Sequence, residues 1–135
     1  MSKAYVFNER LSADQQAQIE SVISGTGFEP VFGTPPANSV DIESDVGVVC
    51  LPIDPVEDAD VQEKIKDYTM AGVRVVAIWL DDAAEEILPP GVLRLGSAAI
   101  SVGSSKAREA LEGEAVWETP KGKKRAEPAM QRNRC

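Results

Sequence analysis

The chain has 135 residues and a formal net charge of −8, the length of one domain, and folding buries roughly two-thirds of the surface such a chain exposes when unfolded. With 43% apolar and 27% charged residues, it is composed like a soluble globular protein and unlike a disordered or fibrous one. Zero histidines and two cysteines, Cys50 in an apolar run and Cys135 at the end, exclude histidine acid–base chemistry and a disulfide framework, and no metal site is expected.

In chain order, Lys3–Asn8 is a short run of β-branched and aromatic residues and reads as a strand. Ser12 offers an N-cap with Gln15 three places on, and Ile19, Val22 and Ile23 continue a helical stripe that stops at Gly25-Thr26-Gly27. Phe28–Phe32 is a second strand, closed by Gly33-Thr34-Pro35-Pro36, and Ser39–Ser44 is at most a short helix. Val46–Ile53 (VGVVCLPI) is almost wholly apolar, as a strand covered on both faces must be. Asp58–Ala71 follows as a helix, with acids in its first turn, Val61, Ile65 and Tyr68 or Thr69 on one face, and Gly72 after it.

Val73–Leu80 (VRVVAIWL) is a second strand of the covered kind. After Asp81-Asp82, a short polar helix at Ala83–Ile87 is broken by Pro89-Pro90-Gly91. Ala98–Val102 is a fifth strand, Ser104–Leu111 a last helix, and Ala115–Glu118 an edge strand or extended exit. Near Thr119-Pro120 the apolar periodicity stops, so residues 1–118 form a single α/β domain and residues 119–135 a basic, flexible tail.

Strands alternating with helices imply a parallel sheet, because parallel neighbours cannot be joined by a tight turn. The fold expected is a three-layer flavodoxin-like sandwich with a five-stranded parallel sheet in the order 2-1-3-4-5. Its ligand crevice then lies at the carboxyl ends of the strands, at the switch point between the first and third. The loops gathered there offer Asn8, then Gly33 and Thr34, then Asp54, then Asp81-Asp82, and finally Gly103-Ser104-Ser105-Lys106. Amides and hydroxyls at Ser104 and Ser105, with Lys106 beside them, suit an anion, although the same residues also suit an ordinary strand-to-helix turn. Glu63 lies on the helix after the third strand, where a carboxylate could stabilise an oxocarbenium-like ribosyl cation; a surface glutamate is the plainer account.

The order of motifs resembles a Toll/interleukin-1 receptor (TIR) type domain over residues 4–118. Ala4-Tyr5-Val6-Phe7 resembles the family's aromatic first strand, and Gly27-Phe28-Glu29-Pro30-Val31-Phe32 is similar to its glycine-aromatic second strand. Ile42-Glu43-Ser44-Asp45-Val46-Gly47-Val48-Val49 looks like the entry to the third, and Val73–Leu80 followed by Leu88-Pro89-Pro90 resembles the fourth with its proline-containing exit. The resemblance implies a Rossmannoid domain, distantly similar to nucleoside deoxyribosyltransferases. In enzymatic members a glutamate on the helix after the third strand cleaves the nicotinamide–ribose bond of NAD, and Glu63 falls near that position.

Two readings of function stay open. In the first, a TIR-like domain binds a nucleotide-type ligand or hydrolyses its N-glycosidic bond, with Glu63 catalytic and Asn8, Gly33, Thr34, Asp54, Ser104 and Ser105 near the ligand. In the second, the same fold is a non-enzymatic protein–protein interaction module. A receiver-like phospho-acceptor with Asp54 as the acceptor is third. No cofactor is specified, and a homo-oligomer stays open.

Charge narrows the partners. Residues 1–118 carry 8 Lys/Arg against 21 Asp/Glu, a balance of −13, and residues 119–135 carry 6 against 1, a balance of +5. Such a body repels nucleic acid and anionic membranes. No apolar run approaches the ~18 residues that span a bilayer, and Met1-Ser2-Lys3-Ala4 shows no secretory pattern. A cytoplasmic location follows as the expectation.

Overall fold

A computed structural model of the chain describes residues 2–7, 11–33, 41, 43–51, 59–80, 88 and 90–124. Among them, β1 (Lys3–Val6), β2 (Glu29–Phe32), β3 (Val46–Leu51), β4 (Arg74–Trp79) and β5 (Ala98–Ser101) form one sheet in the order β2-β1-β3-β4-β5. Every neighbouring pair is parallel. The fold is the expected α/β, flavodoxin-like arrangement. The two apolar runs form its centre, with Val46 opposite Arg74 and Leu51 opposite Trp79.

Alternation along each strand sends neighbouring side chains to opposite faces. Ala4, Val6, Val48, Cys50, Val76, Ile78 and Ile100 meet Ile19 and Ile23 of α1 (Ala13–Gly25) and Ala107, Ala110 and Leu111 of α4 (Ala107–Leu111). On the other face, Tyr5, Phe7, Val49, Leu51, Val75, Ala77 and Trp79 meet Val61, Ile65 and Tyr68 of α2 (Ala59–Met70) and Val92 of α3 (Pro90–Leu95). Burial on both sides is why β3, and β4 after Arg74, are apolar throughout.

Local signals explain most helix ends. Ser12 caps α1 through a complete capping box: its hydroxyl accepts from the Gln15 amide at 3.2 Å, and the Gln15 side chain accepts from the Ser12 amide at 2.9 Å. Two boundaries differ from expectation. Pro90, read as part of a breaker, is instead the first residue of α3, where its missing N–H leaves nothing unpaired. The expected helix at Ala83–Ile87 lies outside the described residues. The last helix begins at Ala107 and not at Ser104; the Ser104 hydroxyl donates to Glu118 while it accepts from Lys106 N–H, in a turn ahead of the helix. In the segment read as a short helix at Ser39–Ser44, residues 43–44 form a turn closed by Asp45 N–H donating to Asp41 O at 2.8 Å.

The two sheet edges are closed differently. On β2, Glu29 and Gly33 donate their N–H groups to Ser2 O and Val6 O of the β1 side, so alternation turns Pro30 outward. There proline removes a donor that another strand could have engaged. On β5, the chain returns after α4 and lays Val116–Glu118 along the edge: Ala99 N–H donates to Val116 O at 2.9 Å, and Glu118 N–H to Ala99 O at 2.8 Å.

Candidate functional site

Asn8, Thr34 and Asp54 lie outside the described residues, so the loops after β1, β2 and β3 are represented by Phe7 and Gly33. Gly33 ends β2 with φ of 123°, a backbone region that glycine occupies without strain, and its N–H donates to Val6 O at 2.9 Å.

Glu63 is exposed on α2. It stands about 200° around the helix from Val61, so the side that buries Val61, Ile65 and Tyr68 is opposite to it. The next residue, Lys64, reaches the carboxyl end of β1, with its Nζ 5.9 Å from the centroid of the Phe7 ring. Phe7 donates its N–H to Val48 O at 3.1 Å and so marks the switch point between β1 and β3. The α2 group placed over Phe7 is thus the Lys64 ammonium and not the Glu63 carboxylate.

Ser104 and Ser105 line a cleft of about 470 Å3 at the carboxyl end of β5, with Ser101, Gly103, Glu118 and Lys121. The Gly103–Ser105 ridge separates it from a groove of about 350 Å3 against Ser21, Val22 and Gly25 of α1. Glu63 borders neither space.

The cleft is organised by Glu118, which the sequence showed only as the end of an edge segment. Its residue is 8% exposed. One carboxylate oxygen accepts from Ser101 N–H at 3.1 Å and the other from the Ser104 hydroxyl at 2.9 Å. Its carbonyl accepts from Trp79 Nε1 at 2.9 Å. The side chain thus takes the place that a sixth strand's carbonyl would hold beside β5 and fixes the Gly103–Ser105 loop at the same time. Ser104 in turn accepts from Lys106 N–H at 3.0 Å. Beyond Glu118, a turn closed by Thr119 N–H to Lys123 O at 2.7 Å carries Lys121 to the cleft.

The opposite edge of the sheet holds a cleft of about 240 Å3 around Arg74, Arg108 and Glu112. Arg74 donates to Leu111 O at 2.6 Å and to Glu43 O at 3.3 Å, tying the end of α4 to the β2–β3 connection. Nearby, the Asp45 carboxylate, 3% exposed, accepts from Lys3 N–H and Asp41 N–H, each at 2.9 Å. Both are binding groups turned to structural use.

Chemistry elsewhere is restricted. Burial pushes the Cys50 thiol up to about 12, so it is no nucleophile near neutral pH. Among the described residues no group of three or more His, Cys, Asp or Glu could hold a metal ion, and no helix is long and apolar enough to cross a membrane. Compared with protein-family models, curated proteins and solved structures, the chain gives no significant match.

Proposed function

We propose that this protein is a TIR-like α/β domain that binds a nucleotide-type ligand, NAD or a nucleoside derivative, at the carboxyl edge of its sheet. The observation that carries the reading is the cleft at the end of β5, where main-chain amides, serine hydroxyls, Glu118 and Lys121 meet around one space of about 470 Å3. Small-ligand sites fall in that size range, and the cleft lies on the carboxyl edge where open α/β sheets bind ligands, beside β5 and not at the β1/β3 switch point. N-glycosidic hydrolysis through Glu63 is the catalytic form of the same reading. It requires the ligand to extend over the outer side of α2, since Glu63 points away from the sheet.

The test is thermal shift with NAD, nucleosides and nucleotides, followed by chromatography of the same mixtures for released base. A ligand that binds the native form alone raises its melting temperature. Released nicotinamide or base that disappears in Glu63→Gln would assign catalysis to Glu63; no shift with any of these compounds would overturn the reading.

The outward position of Glu63 favours one alternative, a non-enzymatic interaction module. Lys121, Lys123 and Lys124 are exposed beside an acidic body and would serve as its handle. Pull-down with and without residues 120–135 tests this: an unchanged partner set would remove the tail from recognition.

A further inference from the structure

We infer that the β5 cleft recognises a ribose-phosphate unit, with Glu118 taking the vicinal 2′ and 3′ hydroxyls and the Gly103–Ser105 loop with Lys121 taking the phosphate. The inference rests on the reading of this cleft as a nucleotide-type site and specifies which part of the ligand it holds.

An ionised carboxylate can accept about four hydrogen bonds. Glu118 accepts one on each oxygen, from Ser101 and Ser104, and among the described residues no lysine or arginine pairs with it. Acceptor capacity is left at a carboxylate that lines an open cleft. Two neutral O–H donors on adjacent carbons match two carboxylate oxygens. A cationic group would also suit the carboxylate, but it would have to enter beside Lys121.

The other end of the cleft favours negative charge. Ser104 N–H is used by Ser101 O, and Lys106 N–H by the Ser104 hydroxyl. Gly103 N–H and Ser105 N–H have no acceptor among the described residues, and both residues are exposed. A Cβ placed on Gly103 would meet nothing within 4 Å, so the loop surface is open to an incoming group. Phosphate oxygens accept from such amides and from the Lys121 ammonium. Ribose carries its diol and its 5′-phosphate on opposite sides of the ring, so a carboxylate and a lysine can be served by one molecule without placing the phosphate on the carboxylate. Gly122 completes the wall: a Cβ there would stand 3.3 Å from the Ser101 hydroxyl.

Calorimetric titration of the full chain with AMP, 2′,3′-dideoxy-AMP, adenosine and ribose 5-phosphate tests the inference. AMP and ribose 5-phosphate should bind, and removing the diol or the phosphate should weaken binding at least tenfold. Glu118→Gln should abolish the preference for AMP over dideoxy-AMP. Because Glu118 also holds the β5 edge, Lys121→Ala serves as a second variant; it should weaken AMP and leave adenosine unchanged, with an unaltered melting temperature. Equal binding of AMP and dideoxy-AMP, or an AMP affinity untouched by Lys121→Ala, would overturn this inference while leaving a nucleotide site intact. No heat with any nucleotide or with NAD would overturn both.

Discussion

Gly47→Ala is expected to be among the most damaging single-atom additions in this protein. Gly47 is buried in the middle of β3, between Tyr5 of β1 and Val75 of β4. A Cβ there would stand 2.5 Å from both Cγ and Cδ2 of Tyr68 and 3.0 Å from its Cε2. Carbon atoms pack best about 3.5–4.0 Å apart, so ring or strand must retreat by about 1 Å. Neither has room: the Tyr68 ring is fully buried, and its carbonyl accepts from Val73 N–H at 3.1 Å. Overpacking of this kind costs about 1–3 kcal/mol, and the lower chain entropy of alanine returns at most ~1 kcal/mol. The net expectation is a loss of about 2 kcal/mol and a fall in Tm of roughly 6–10 °C.

Urea unfolding followed by tryptophan fluorescence measures that loss. A double-mutant cycle with Tyr68→Ala tests its cause. Tyr68→Ala alone opens a cavity and is costly. In that background, however, Gly47→Ala should be neutral or stabilising, because the atoms it strikes are gone. Equal cost in both backgrounds would refute the steric explanation and locate the effect in the backbone.

Three further outcomes follow from the same packing. The Tyr68 hydroxyl is buried without a partner among the described residues, so Tyr68→Phe should leave stability unchanged or raise it by about 1 kcal/mol; a drop in the urea midpoint would reveal a bond that the geometry lacks. The Cys50 thiol, pushed up to about 12 by burial, keeps a proton in the folded state that an unfolded thiol releases near pH 8.5, so stability falls as pH rises through this window. Between pH 8 and 10 the loss is ~2 kcal/mol, and Cys50→Val should flatten it; a variant with the parent's slope would show that another group titrates. Arg74→Met keeps the apolar stem but removes the bonds to Leu111 O and Glu43 O, for an expected loss of about 1.5–3 kcal/mol. Arg74→Lys should rescue little of it, since one ammonium cannot span both carbonyls, and full recovery in the lysine variant would argue for charge alone.

What the chain reveals before folding is set by how local the cause is. VGVVCL and VRVVAIW announce central parallel strands because burial on both faces leaves its mark on every residue, and Ser12 with Gln15 forms a cap within four residues. Boundaries governed from a distance are not readable in this way. Ser104 has the form of an N-cap and accepts from Lys106 N–H, but its hydroxyl also donates to Glu118, 14 residues later, and α4 starts only at Ala107. Glu118 likewise depends on Ser101, 17 residues earlier, and nothing beside it in the chain marks it as the organiser of a cleft. The outward direction of Glu63 was available in the stripe Val61, Ile65 and Tyr68, since the angle around a helix matters as much as the position along it. The same stripe turns Lys64 towards Phe7.

The acidic balance of the body bears on how the proposed anionic ligand would reach the cleft. At physiological ionic strength charges act over about 8 Å, so a phosphate within the cleft feels its immediate surroundings far more than the −13 carried by residues 1–118. Among those surroundings Glu118 is the carboxylate on the cleft wall, with one bond on each oxygen from Ser101 and Ser104. Lys121 lines the space, and Lys106, Lys123 and Lys124 are exposed on the same two loops that form it. Among the described residues that line the cleft the charges are Glu118 and Lys121, which cancel, against −13 for residues 1–118 as a whole. For the proposed phosphate ligand, remote acids would lower the rate of encounter, whereas Lys121 and the loop amides would set what is held after arrival.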